Sequence, residues 1–168
     1  MKLRQMAVAF LFNDKQEVLF LQKKTDSSFL AGRKVPIGGH MEEAEINYPY
    51  HACIREIKEE TGLAEEQLNH LRLRYIVHRI RNNSEIRTQY VYFGSVSDHT
   101  GLLESDEGKL CWVAGQDIVH QAVTATTKEI MKHYTEIGKS TDKVYTGSMK
   151  SLNGAPAITW AELEDWEK

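Results

Sequence analysis

The alternation of apolar and polar positions divides the chain into elements before any chemistry is considered. Residues 5–12 and 17–22 are apolar, rich in Val, Phe and Leu, and are separated by Asn13-Asp14-Lys15-Gln16. Two such runs around a polar turn predict a β-hairpin. Residues 23–34 are polar, contain Gly32 and read as a loop. Val35-Pro36-Ile37 is a short extended piece ending in Gly38-Gly39, where the backbone can take positive φ. His40 to Tyr48 reads as a loop carrying Glu42, Glu43 and Glu45. A helix follows: Asn47 is a candidate N-cap, Pro49 suits the first turn, and Gly62 suits the position just past an end near Thr61. Helical periodicity gathers Tyr50, Cys53, Ile54, Ile57 and Thr61 into one arc of about 100°, the expected core face. Arg55, Glu56, Glu59 and Glu60 are expected on the other side, facing solvent or a cleft.

Strands are predicted near 70–80 and 86–97. In the second, Thr88, Tyr90 and Tyr92 face one way and Gln89, Val91 and Phe93 the other. Residues 109–114 read as a strand and 121–137 as a second long helix. Val144–Met149 and Ala157–Trp160 flank Leu152-Asn153-Gly154 and predict a second hairpin, closed by a short acidic helix around Trp166. There is no internal repeat or low-complexity segment. Strands before and after helices imply an α/β fold, a mixed β-sheet with helices packed on it. The expected organisation is a domain over 1–138 with a C-terminal extension, 139–168, packed on it.

The bulk numbers narrow the function classes. The chain has 168 residues, which suits one domain; a domain near this length buries roughly 70% of its unfolded surface and needs no staple to fold. Net charge is −3 and no block of like charge occurs, so no bulk positive field draws a nucleic-acid polymer. An anionic ligand needs local help from lysine, arginine or a metal. The two cysteines, Cys53 and Cys111, match no zinc spacing and make no disulfide framework, which fits a reducing cytoplasm. The run Met6–Phe12 is too short to span a membrane and lacks a following cleavage pattern, so neither a membrane span nor a signal peptide is expected.

The stretch Arg55-Glu56-Ile57-Lys58-Glu59-Glu60-Thr61-Gly62 carries the chemistry. Glu56 sits one turn from both Glu59 and Glu60, and like charges at that spacing cost about 0.2–0.5 kcal/mol per pair. Acidic surface helices are common, so a solvated face is one reading. The other is a divalent cation site, because carboxylate oxygens are hard ligands suited to Mg²⁺ or Mn²⁺.

The stretch GGHMEEAEINYPYHACIREIKEETGL resembles the Nudix box, G-x5-E-x7-R-E-U-x-E-E-x-G-U with U a bulky aliphatic. Gly39 followed by five residues and Glu45 fits, and Arg55 to Leu63 fits at every specified position. Nine residues separate Glu45 from Arg55 where the pattern has seven. Two extra residues inside a helix rotate its faces by about 200°, so the insertion is placed before the helix, near Ile46-Asn47-Tyr48. The resemblance runs over roughly residues 5–138 and implies the Nudix α/β/α sandwich. It implies hydrolysis of a nucleoside diphosphate linked to another group, with Glu56, Glu59 and Glu60 holding Mg²⁺ (or Mn²⁺) and the Gly39 carbonyl as a further ligand. It also implies that Glu45 braces Arg55; with the longer loop, Glu43 or no residue are the alternatives.

A general base can come from Glu59 or Glu56, or from the later loop Glu104-Ser105-Asp106-Glu107. Candidate phosphate-facing cations are Lys23, Lys24, Arg33 and Lys34 in the early loop, and Arg79, Arg81 and Arg87. Candidate base-stacking aromatics are Phe29, Tyr90, Tyr92 and Trp112. FLAGRKVPIGGH and ESDEGKLCWV are similar to segments of MutT-like nucleoside triphosphatases. Animal members of that group usually have a base-reading asparagine where Val35 stands, which argues against specificity for 8-oxo-dGTP. The expected substrate is a nucleoside triphosphate, cleaved to monophosphate and pyrophosphate. ADP-ribose, a nucleotide-sugar or a dinucleotide is the alternative, and an inactive nucleotide-sensing or protein-binding module is a third reading. The expected partner is a small-molecule nucleotide rather than a nucleic-acid polymer or a membrane, bound by a monomer or homodimer.

Overall fold

Strand β1 (Lys2–Phe12) occupies the middle of an eight-stranded mixed sheet in the computed structural model, which describes residues 1–28, 30–97 and 101–167. The other strands are β2 (Glu17–Lys23), β3 (Lys34–His40), β4 (Leu68–Arg81), β5 (Glu85–Val96), β6 (Gly108–Ala114), β7 (Val144–Leu152) and β8 (Ala155–Leu163). Their order is β6-β2-β3-β1-β5-β4-β7-β8. The pairs β1–β5 and β4–β7 are parallel and the rest antiparallel.

The first two strands are only nominally a hairpin. The turn forms, with the Asn13 side chain accepting from the Lys15 and Glu17 N–H groups. Pairing between β1 and β2 stops at Phe12 opposite Val18. Beyond it β3 slides between them, because Gly38 lets its backbone approach β1 where a side chain cannot fit: a Cβ on Gly38 would lie 2.3 Å from the Ala7 carbonyl oxygen. Alternation in sequence reveals that a strand exists but not which strand it pairs with.

Helix α1 (Pro49–Thr61) starts on Pro49 as expected, with Tyr48 rather than Asn47 at the cap. A 3-10 turn at Glu43–Glu45 takes up the preceding loop, and the fixed φ of proline puts the cap on the residue just before it. The inserted residues therefore lie outside the helix. Gly62 ends it at φ 76°, donating its N–H to the Lys58 carbonyl. Ala52, Cys53 and Ile57 bury against β1 and β3. Helix α2 (Ala125–Glu136) begins later than the periodicity suggests. Residues 115–120 form a 3-10 helix, the chain then runs beside Lys34, and the Thr124 hydroxyl caps α2 by accepting from the Thr127 N–H.

The two helices cover opposite faces, giving an α/β/α sandwich with two apolar clusters. Ala7, Ala9, Leu11, Leu21, Ile37 and Ile57 pack on the α1 side. Phe10, Phe20, Tyr75, Phe93, Ile130 and Tyr145 pack on the α2 side. Val91 and Phe93 face α2 and Tyr92 faces α1, as the alternation of β5 requires. The β7–β8 hairpin extends the sheet from β4 and closes the α2-side cluster: Trp160 lies edge-on to Tyr75, centroids 5.1 Å apart. Buried Arg74 anchors the connection to β7, donating to the carbonyls of Gly138, Thr141 and Lys143. Among the described residues the short helix expected at Trp166 does not form; Trp166 is 88% exposed, so no burial offsets the cost of nucleating it. Among the described residues, no helix is long and apolar enough to cross a membrane.

Candidate active site

The two glycines at the end of β3 decide where the acidic helix can put its carboxylates. A Cβ on Gly39 would stand 2.8 Å from both Glu56 carboxylate oxygens. The Gly38 N–H donates to the Glu60 carboxylate at 2.8 Å. Two glutamates one turn apart on α1 are thus laid against the bare backbone of β3. Both line a cavity of about 960 Å³ on the α2 side of the sheet.

Glu60 departs from the outward position expected of it: it is 4% exposed. The helical geometry explains this. Glu60 follows Cys53 by seven residues, nearly two full turns, so it lies only about 20° round the helix from a core residue. It belongs to the edge of the buried face, and the Gly-Gly backbone gives it a partner there. Burial pushes its carboxyl up to about 7, opposed by the Gly38 N–H and by Lys23. Burial likewise raises Glu56, opposed by Arg55.

Glu59 is placed differently. Its side chain is 58% exposed and bonds to Arg55 Nη1 at 3.0 Å rather than lining the cavity. Among the described residues, no three His, Cys, Asp or Glu side chains converge closely enough to hold an ion as they stand. The expected three-way convergence is therefore reduced to Glu56 and Glu60, because Arg55 draws Glu59 outward.

Arg55 is the organiser of the loop. Its Nε and Nη2 donate to the two oxygens of Glu45 at 2.8 and 2.9 Å. Nη1 donates to Glu56 and Glu59, each at 3.0 Å, and Nη2 also reaches the His40 carbonyl at 3.1 Å. All five donors of the guanidinium are used. Arg55 holds the Glu45 carboxyl at about 2, well below the usual carboxylate range. Glu45, not Glu43, pairs with Arg55, and the turn ahead of Pro49 absorbs the longer spacing.

The other candidates divide by face. Lys23, Arg33, Val35 and Glu107 line the cavity with Glu56 and Glu60. Lys23 pairs with Glu107, and Arg33 Nη1 donates to the Val123 carbonyl at 3.1 Å. Lys34 Nζ is turned to Gln121. Trp112, expected to bind substrate, lies elsewhere: paired with Leu19, it packs with the α1-side cluster. Tyr90 and Tyr92 also belong to that side. Phe29 lies outside the described residues. Arg4, His40 and the start of α2 (Thr124 to Thr127) line the cavity without having been singled out; strand pairing and the packing of α2 on the sheet bring them there.

A carboxylate pair at a glycine-lined strand end, facing a cavity that also holds Lys23 and Arg33, is a site built for polyanion chemistry. A family model described as NUDIX domain matches residues 2–134, and the chain belongs to that family. It is a Nudix hydrolase, an enzyme that hydrolyses pyrophosphate bonds in nucleotide derivatives; members generally use divalent metal ions and act on small-molecule nucleotides. The structure is similar to that of a mutator MutT protein from Bacillus halodurans (22% identity, 94% of this chain and 97% of that chain covered, TM-score 0.67). It is similar to a C. elegans Ap4A hydrolase (19% identity, 82% and 99% covered, TM-score 0.67). A MutT NUDIX hydrolase from Burkholderia pseudomallei shares 27% identity, with 79% and 98% covered and a TM-score of 0.63. No curated protein matches the sequence.

Proposed function

We propose that the enzyme hydrolyses a nucleoside triphosphate to the monophosphate and pyrophosphate with Mg²⁺, at the wall formed by α1 and the end of β3. The observation that carries this reading is the pair Glu56 and Glu60: two neighbouring carboxylates, both raised by burial, at the edge of a cavity large enough for a nucleotide. Such a pair is a hard-oxygen donor set that a divalent cation stabilises. Glu56, Glu60 and the Gly39 carbonyl would hold the ion, and Glu59 would reach it on release from Arg55. When bound, the ion would supply charge neutralisation of the phosphate oxygens and acidification of water.

The side chains do the rest. Glu56 accepts the proton of the attacking water. Water oxygen bonds to phosphorus, and the bridging oxygen leaves with the electron pair of the broken bond. Lys23 and Arg33 offset the developing charge, and Glu107 holds Lys23 at the rim. Glu45 acts through Arg55 as a positioning residue. It fixes the guanidinium that orients Glu56 and Glu59.

The test is release of pyrophosphate and monophosphate from a nucleotide panel with and without Mg²⁺, comparing the wild type with Glu60→Gln and Glu59→Gln. The expected result is Mg²⁺-dependent turnover that falls by about 10²-fold or more in each variant. Turnover unchanged in both variants overturns the site, and no turnover on any nucleotide overturns the activity.

A further inference from the structure

The cavity has a second, cationic end. Across the parallel pair β1–β5, Arg4 stands opposite Arg87, and across the antiparallel pair β4–β5, Arg79 stands opposite Arg87. One row over three adjacent strands thus carries three guanidinium groups, although like charges directly opposite in a sheet are destabilising. The next row is Lys2, Glu85 and Arg81. Arg4, Arg79, Arg81 and Arg87 all line the cavity.

Among the described residues, one carboxylate serves this group. Glu85 pairs with Arg87 and lies 3.3 Å from Arg4 Nε. Arg4 Nη1 also donates to His40 Nε2 at 2.8 Å. The side chains of Arg79 and Arg81 make no ion pair or hydrogen bond among the described residues. Arg87 is 5% exposed, so the row is built into the cavity floor rather than scattered over a surface. Burial, with Arg87 and Arg81 nearby, disfavours the charge on Arg79. An anion lodged there relieves the repulsion.

The two ends are far apart on the scale of a phosphate. Val8 pairs with Gly38, whose N–H holds Glu60. Arg4 lies four residues further along β1, about 13 Å at the rise of a strand. Arg4 reaches back to His40, but Arg79 stands two strands further across the sheet from it, and that end of the row is set too far from the carboxylates for two adjacent phosphates to span. The volume, about 960 Å³, stands near the upper end of small-molecule sites.

We propose that the row Arg4, Arg87 and Arg79, with Arg81, binds a second phosphate group of the substrate, remote from the pyrophosphate cleaved at the carboxylate end. The preferred substrate is then a nucleotide derivative with a further phosphate on its far side. Guanidinium groups suit this because their planar donors pair with phosphate oxygens two at a time. The inference rests on the hydrolytic site proposed above for its other end.

Adenosine 5′-monophosphate, adenosine 2′,5′-bisphosphate and adenosine 3′,5′-bisphosphate contain no pyrophosphate bond, so their binding with Mg²⁺ present is read apart from turnover. Diadenosine tetraphosphate, with divalent cations chelated, tests a phosphate carried on a bridging polyphosphate instead of on the sugar. At least one of these three further-phosphorylated probes is expected to bind about tenfold or more tightly than the monophosphate. The probe that does so tells where the second phosphate is carried. In Arg79→Gln/Arg81→Gln that ratio is expected to fall to within about twofold. Ratios near one for every probe in the wild type, or a ratio that survives in the double variant, overturn the proposal. If the double variant does not fold, the exposed single change Arg81→Gln reads the same ratio, and no change there counts against the row. Turnover of nucleoside triphosphates without any such preference removes this inference and leaves the hydrolytic reading. A preference that depends on the arginines, with no turnover of any nucleotide, does the reverse.

Discussion

Arg55 grips Glu45 with two parallel hydrogen bonds, Nε to Oε1 at 2.8 Å and Nη2 to Oε2 at 2.9 Å, across a connection longer than the motif requires. Glu45→Gln removes the charge and one acceptor, and Arg55→Lys removes the fork. Each is expected to lower kcat/KM by about 10- to 100-fold while leaving the fold intact. Steady-state kinetics with circular dichroism checks this; wild-type kinetics in both variants would refute the bracing role. The pH signature is also set. The Glu45 carboxyl is lowered in the fold to about 2, so its stabilisation is present above the unfolded carboxylate range and is lost as pH falls from there towards 2.

Glu60 has the opposite linkage. Its carboxyl is raised to about 7 in the fold, so the folded state binds the proton more tightly than the unfolded chain. In EDTA, stability is expected to decline as pH rises from the ordinary carboxylate range through 7. Glu60→Gln keeps an acceptor for the Gly38 N–H without the buried charge. At pH 8 in EDTA it is expected to melt a few degrees higher than the wild type, and to lose the gain in Tm that Mg²⁺ gives the wild type. Thermal scans at pH 5 and pH 8, with and without Mg²⁺, read all three quantities.

Gly38 and Gly39 separate stability from chemistry. Gly38 has φ 135° and no room for a Cβ against the β1 backbone, so Gly38→Ala is expected to cost about 2–4 kcal/mol in urea unfolding. At Gly39 the obstacle is the Glu56 carboxylate, the end of a flexible side chain. Gly39→Ala is expected to cost under about 1.5 kcal/mol in stability but to lower kcat markedly by displacing that carboxylate. Equal stability losses would show that Glu56 is not seated as described.

His133 is buried against Tyr75, Tyr145 and Trp160, and burial lowers its pKa. The folded state thus favours the neutral ring. Its stability is fully present above the unfolded histidine value near 6.5 and is lost as pH falls below it. The slope of Tm against pH between 7.5 and 5.5 is expected to flatten in His133→Gln. Trp160→Ala, which empties the other side of the same cluster, is expected to cost about 3–5 kcal/mol.

Much of the site was readable from the chain because its parts are local. Pro49 and Gly62 bracket α1, Gly38-Gly39 marks the strand end, and the glutamates fall at helical spacing. The seating of Glu60 was not anticipated: its place seven residues after Cys53 sets it at the edge of the core face, but its charge argues for an outward position and only the glycine backbone opposite provides it a partner. What the chain alone conceals is lateral pairing. The arginine row exists because β1 and β5 run parallel and β4 returns beside them, a relation among residues far apart in sequence. Trp112 illustrates the same limit: in a strand, one step of register decides which layer a side chain enters.

The parallel seam between β4 and β7 has a consequence for biosynthesis. The aromatic cluster around Tyr75 needs Tyr145 from β7 and Trp160 from β8 to be sealed. A ribosome that has delivered both helices and the first six strands still holds the residues that shut this flank. Until they emerge, the nascent polypeptide presents β4 as an open edge, and the interval invites chaperone capture or premature self-association.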